Sequence, residues 1–265
     1  MELAGATALV TGANRGIGLA LARSLAQRPL DLLMMGMRSP ERGPELQPPP
    51  GGARKIRPVA LDLSSRATVE EGSAGLGDAL HRIDLLVNNA GLMTGGLLEE
   101  QDTEQVYAMF QVNLVAVCHL TQMVLPGMLS RGHGKVVNNT SISGYAHLPG
   151  ATTYAASKAG VVAFTEALRR ELAGTGVSAL HLVTPGVKTD MLDDTEAVYG
   201  RHMDTSGWNS IAPERWAARV LRAIEADDHI LGPGGRLAAA KLASRGPAMV
   251  MDALASRMFS RAPRR

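Results

Sequence analysis

Short apolar runs alternate with longer stretches of helical period along most of the chain. The runs Ala6–Val10, Leu30–Met35, Ile56–Leu61, Leu85–Val87, Val136–Asn139, Val177–Val183 and His229–Leu231 read as strands. Several are apolar without alternation, as strands covered on both faces should be. Amphipathic stretches near residues 16–28, 66–81, 102–130, 154–173 and 213–226 read as helices. Strand and helix in regular alternation imply βαβ units. The fold expected is therefore α/β, a Rossmann-like doubly wound parallel sheet of about seven strands with helices on both faces. No linker divides residues 1–265, so one domain is expected. Two segments interrupt the pattern. Ser39–Gly52 holds Pro48-Pro49-Pro50-Gly51-Gly52 and reads as a surface loop. Residues 191–212 have no clean period, which suits a lid over a site.

Composition narrows the chemistry. The single cysteine, Cys118, rules out an internal disulfide and a thiolate metal cluster. The 7 histidines are scattered without ligand spacing, so no metal site is expected. Met1-Glu2-Leu3 opens without a basic segment leading into an apolar run, so the expected location is cytoplasmic. The net charge of +2 hides a basic C-terminal extension over 235–265 and a mildly acidic remainder, so nucleic acid is not expected as a partner. Within that extension Leu237, Leu242, Met249, Val250, Leu254, Met258 and Phe259 alternate with basic residues. Such a segment packs on its own domain, meets a partner subunit or the site, or lies on an anionic membrane.

The first strand runs directly into Thr11-Gly12-Ala13-Asn14-Arg15-Gly16-Ile17-Gly18, and a helical pattern follows. Glycines at that junction let the backbone approach a pyrophosphate at a helix N-terminus, where free N–H groups favour an anion. At the end of the second strand stands Gly36-Met37-Arg38, with no carboxylate to accept bonds from the hydroxyls of an NAD ribose. Arg38, and Arg15 in the glycine loop, are placed to reach a 2′-phosphate, which favours NADP(H) over NAD(H).

The spacing Gly12-x-x-x-Gly16-x-Gly18 resembles that of the short-chain dehydrogenase/reductase family, in its shorter single-domain branch. The resemblance continues in order through Asp62-Leu63, Asn88-Asn89-Ala90-Gly91, Asn113, Ser141, Tyr154, Lys158, Pro185-Gly186 and Thr189. It covers roughly residues 5 to 190. It implies Asn113, Ser141, Tyr154 and Lys158 as the catalytic set. The cofactor contacts it implies are Gly12, Asn14, Arg15, Gly16, Ile17, Gly18, Arg38, Asp62, Leu63, Asn89, Ala90, Gly91, Tyr154, Lys158, Val187 and Thr189. The alternative readings are Asp62 as a helix-entry cap beside Ser64 and Ser65, Asn113 as a structural helix residue, and Ser143 in place of Ser141, although Ser143 misses the thirteen-residue spacing to Tyr154.

Tyrosine with a pKa near 10 is a poor acid–base group at neutral pH, but Tyr154 and Lys158 share a helix face at i, i+4. The ammonium would favour the phenolate, and lowering its pKa by ~3 units takes roughly 4 kcal/mol. By resemblance, Tyr154 is the general acid/base, Lys158 holds the nicotinamide ribose, Ser141 bonds the substrate oxygen, and Asn113 positions a water. Met93, Leu97, His147, Leu148, Met191 and Leu192 lie near the expected substrate. The function expected is NADPH-dependent reduction of a ketone or aldehyde, or the reverse, on a fairly apolar small molecule. An epimerase, dehydratase or cyclase on the same fold, and a nucleotide-sensing protein, are the alternatives. Family members pair through two long helices, which makes a homodimer or homotetramer the expected assembly.

Overall fold

A computed structural model describes residues 1–203 and 210–234, with the side chains of 193–197 left aside. The extension over 235–265, and with it every expectation about that segment, lies outside the described residues.

Seven strands form one parallel sheet. They are β1 (Thr7–Thr11), β2 (Leu32–Met37), β3 (Ile56–Ala60), β4 (Leu85–Asn88), β5 (Gly134–Ser141), β6 (Val177–Thr184) and, last in the chain, Ile230–Leu231. That last strand becomes β9, because a two-stranded ribbon of β7 (Gly186–Val187) and β8 (Ser210–Ile211) precedes it. The order is β3-β2-β1-β4-β5-β6-β9, so the chain reverses its direction of travel between β1 and β4. The fold is the doubly wound, Rossmann-like α/β arrangement that the alternation of patterns implies.

Alternate residues of each strand feed two cores. Ala8 and Val10 of β1 and Leu33 and Met35 of β2 pack under α1 (Gly16–Ala26) and α7 (Pro213–Glu225), where Leu21, Leu25, Trp216 and Val220 are buried. Leu9, Met34, Leu86 and Val136 face the other way, under α2 (Arg66–Ala74), α4 (Ala116–Arg131) and α5 (Thr152–Glu171). Apolar residues on both faces explain why the strand sequences do not alternate.

Two helices differ from their sequence patterns. The expected helix 66–81 ends at Ala74, and the chain continues as a 3₁₀ turn over Gly77–Arg82. Gly77 takes the left-handed φ of 59°, which an α-helix does not tolerate. Along 102–130 the helix is continuous but changes pitch: α3 (Thr103–Phe110) passes through a π turn at Gln111–Val115 before α4. The whole run Thr103–Arg131 is long and apolar enough to cross a bilayer by length and composition. Here it is a core helix, with Met109, Val117, Leu120, Val124 and Met128 buried.

Candidate active site

All the strands run the same way, so their C-terminal ends share one edge, and the break in strand order opens a crevice there between β1 and β4. Gly12 and Gly16 at the head of α1 take φ of 65° and 54°. A Cβ on Gly12 would lie 2.9 Å from the Cα of Ala90, and one on Gly18 only 2.1 Å from the carbonyl oxygen of Gly12. The loop is therefore folded flat against the turn after β4. Arg15 occupies the N-cap position of α1 without a side-chain capping bond, and no acidic residue stands in the first turn. The N–H groups there remain for an anion. Gly12, Asn14, Arg15, Gly16, Ile17 and Gly18 thus form a backbone cradle that fits a dinucleotide pyrophosphate.

Arg38 is exposed just beyond β2, and no ion pair to it forms among the described residues. Arg15 is otherwise engaged. Its guanidinium reaches Asp190, at the start of α6 (Asp190–Tyr199), at 2.6 Å. Asp62 is not the helix cap. Ser65 caps α2 in a reciprocal box with Thr68, while the Asp62 carboxylate accepts the backbone N–H of Ser64, at 2.9 Å. Leu63 is buried beside it, its carbonyl accepting from Gln111 at 3.3 Å. Asn89 and Ala90 both donate their backbone N–H to the Thr11 hydroxyl at 3.0 Å. Thr11 was not singled out by the sequence, although its place at the end of the first strand is a usable signal.

The expected catalytic residues converge. A Cβ on Gly91 would lie 3.2 Å from Asn113 Oδ1 and 3.5 Å from Lys158 Nζ, so these three groups meet. Lys158 is buried, donates to the carbonyl of Asn139 at 3.2 Å, and stands 5.9 Å from the centre of the Tyr154 ring. Ser141 bonds the Tyr154 hydroxyl and accepts the N–H of Ser143 at 3.1 Å. Ser143 thus contributes backbone, and Ser141 presents the hydroxyl. Asn113 lies in the π turn, and its amide is spent on protein groups: Leu92 on both sides of the peptide, at 2.8 and 2.9 Å, and Ser157 at 3.1 Å. The side chain is a clamp, so a water at this residue would have to use its backbone.

The electrostatics depart from the expectation of a lowered tyrosine pKa. Burial pushes the Tyr154 phenol above its ordinary value, and the Ser141 bond only partly offsets this. Burial also brings the Lys158 ammonium down to about 8. Both charged forms are disfavoured by lost solvent. In the ligand-free protein Tyr154 is therefore held in its acid form.

The substrate side is apolar. Met93 and Leu148 pack with Ala151, Val198, Tyr199 and Met203, and Leu97 is buried nearby in sequence. Tyr199 lies over Gly95, where a Cβ would come within 2.1 Å of its ring. Burial raises its pKa, and so does the proximity of Tyr154. The sequence did not single out Tyr199, because nothing in its local pattern marks it. His147 is exposed on the loop ahead of α5, next to Leu148, and Met191 and Leu192 are half-buried at the start of α6. Val187 is buried in β7, and Thr189 follows with its methyl near Gly16.

The chain matches the short chain dehydrogenase family model over residues 6–199. Ketoacyl reductase HetN of Nostoc is 32% identical over 225 residues, spanning 84% of this chain and 76% of that protein. The 3-oxoacyl-[acyl-carrier-protein] reductase FabG of Vibrio cholerae is 35% identical over 192 residues, spanning 72% and 77%. A crystal structure of a short chain dehydrogenase from Burkholderia cenocepacia in complex with NADP superposes with a TM-score of 0.79 at 26% identity, covering 96% of this chain and 99% of that one. The family model covers most of the chain and the fold is shared: the chain belongs to the short-chain dehydrogenase/reductase family of oxidoreductases.

Proposed function

We propose that the protein reduces a ketone on a fairly apolar substrate with NADPH, Tyr154 acting as general acid. The observation that carries this reading is the meeting of Ser141, Tyr154 and Lys158 beside a glycine cradle at one crevice. When bound, the nicotinamide supplies a hydride to the carbonyl carbon. Tyr154 delivers its proton to the carbonyl oxygen, and burial keeps that proton in place until it is needed. Ser141 donates a hydrogen bond to the same oxygen and steadies the charge developing on it. Lys158 holds the ribose on the nicotinamide side, and Asp62, Leu63, Asn89, Ala90, Gly91, Val187 and Thr189 line the rest of the cofactor's path.

NADP(H) is supported by the exposed Arg38 and the lack of an acid after β2, and the Burkholderia relative was crystallised with NADP. The apolar wall of Met93, Leu148, Val198, Tyr199 and Met203 suits an acyl chain, as the names of the ketoacyl reductase relatives suggest. Tyr107 and Val115, 71% and 48% exposed on the α3–α4 run, supply an apolar face for a homodimer or homotetramer. The same likeness favours a cytoplasmic setting. Consumption of NADPH, but much less of NADH, with 3-oxoacyl thioesters and bulky ketones is the expected result. Tight NADPH binding with no consumption on any carbonyl would overturn it in favour of a non-redox role.

A further inference from the structure

A second feature of the same edge lies outside the set that family likeness assigns. Asn139, next to last in β5 but one, is tied at every polar atom its side chain offers. Its Nδ2 donates to Asn89 Oδ1 at 3.1 Å, its Oδ1 accepts from the Thr184 hydroxyl, and its backbone carbonyl accepts from Lys158 at 3.2 Å. The amide orientations are fixed by the end of the chain of bonds. Asn89 Nδ2 bonds the carbonyl of Thr11 at 3.1 Å, and a carbonyl only accepts. Asn89 therefore turns its oxygen to Asn139, Asn139 must donate, and its own oxygen is left facing Thr184, which must donate in turn. One directed line of donors crosses β6, β5, β4 and β1 at the mouth of the crevice.

The Thr184–Asn139–Asn89 stretch of that line is where a dinucleotide's reactive half would lie. Asn89 begins the turn Asn89-Ala90-Gly91, Thr184 precedes Pro185-Gly186-Val187, and Lys158 carries the ribose contact. The adenine half, at Arg38 and Asp62, is on the β2–β3 side, away from the line; the pyrophosphate loop Gly12–Gly18 meets it at Thr11 and at Asn89, whose Nδ2 would lie 2.6 Å from a Cβ on Gly18. One residue earlier in the same strands, Asn88 and Asn138 also bond, at 2.8 Å, but beneath the helices and to Thr121 and Thr165. That inner pair locks the fold and faces no crevice.

We infer that Asn139 is a positioning residue for the nicotinamide half of the cofactor, setting the β4 turn, the β6 turn and Lys158 relative to one another. The inference rests on the cofactor reading above. Asn139→Leu keeps the shape and removes both side-chain bonds, leaving Asn89 and Thr184 unsatisfied. The test is calorimetric titration of the purified full chain with NADPH and with 2′,5′-ADP, which lacks the nicotinamide half. Asn139→Leu should weaken NADPH about tenfold, the size of one lost bond with its partners left unpaired, and leave 2′,5′-ADP within about twofold. Thr184→Val, which removes only the donor at the far end, should show the same selectivity at smaller amplitude, and it decides the matter should the Leu variant not fold. Unchanged NADPH affinity, or an equal loss for both ligands, overturns the inference. Wild-type protein that binds neither ligand overturns the cofactor reading and this inference with it.

Discussion

Lys135 enters β5 at the N-terminal edge of the sheet, and Lys158 faces the C-terminal edge from α5. Both are buried, at 0% and 5% exposure. Lys135 is given a carboxylate: its ammonium bonds Asp227 and, at 3.1 Å, Ser178. The same edge pairs Arg131 with Asp84 at 2.9 Å and brings His133 within 3.2 Å of that acid. Lys158 has a backbone carbonyl and the Tyr154 ring, whose centre is 5.9 Å away, instead. At the N-terminal edge charge is neutralised within the protein; at the C-terminal edge Arg15 pairs with Asp190, but Lys158 and Arg38 have no counter-ion among the described residues. A buried charge left unpaired costs stability, so the difference marks the edge that awaits an anionic ligand.

The largest expected effect comes from the proton that the unpaired edge protects. Tyr154→Phe should lower turnover at least about a hundredfold while NADPH affinity stays near wild type, measured by steady-state kinetics and titration. Near-normal turnover would remove Tyr154 from the mechanism.

Breaking the paired edge tests the other half of the contrast. Asp227→Asn preserves shape and the left-handed φ of 57°, which Asn also accepts, but leaves Lys135 buried without its counter-charge. Loss of a fully buried partner costs roughly 3–5 kcal/mol, and the half-exposed Asp227 warrants a discount to about 2 kcal/mol in urea denaturation, with cofactor affinity unchanged. Burial raises the Asp227 pKa, but bonds from Lys135 and Ser178 outweigh it, and the net folded value is lowered. Its stabilisation is thus complete above the unfolded carboxylate value near 4 and is lost as pH falls through the lower folded value. Asp227→Asn should flatten that acid limb.

Arg38→Ala probes the second unpaired cation. A lost charge-assisted contact should raise the NADPH dissociation constant about ten- to a hundredfold and leave NADH almost untouched. Equal affinity of the wild type for both cofactors would show that Arg38 meets no phosphate.

The smallest stability change is also the most direct comparison of the two lysines. Lys158→Met should stabilise the ligand-free protein, by roughly 1–2 kcal/mol at pH 7, while abolishing most activity. Lys158 has a folded pKa of about 8, below its unfolded value near 10.4, so the unfolded state binds more protons between them. Wild-type stability should therefore rise with pH across that interval, and the advantage of the Met variant should vanish above it. Loss of stability in Lys158→Met would mean that the ammonium is better paired than its surroundings show.

Much of this was legible beforehand, because it depends on neighbours in sequence. Strand and helix order follows from hydrophobic period, and the cradle from glycines at a strand–helix junction. The Tyr154/Lys158 pair follows from i, i+4 spacing. Each of these is decided within a few residues. The errors fall where local pattern is ambiguous. Gly75-x-Gly77 sits inside an otherwise helical stretch, and the π turn at Gln111–Val115 leaves no mark in an apolar run.

What tertiary structure alone decided involves partners far apart in the chain. Arg15 is drawn to Asp190, Asn139 lies between Asn89 and Thr184, and Tyr199 covers Gly95. The direction of the Tyr154 and Lys158 pKa shifts belongs to the same class. Spacing puts a cation beside a phenol and suggests that the phenol becomes more acidic. Whether it does depends on how much water remains, and that is set by helices and turns folding over both groups from distant parts of the sequence. Local sequence fixes which groups are neighbours along the backbone; desolvation is a property of everything packed around them, and no local window contains it.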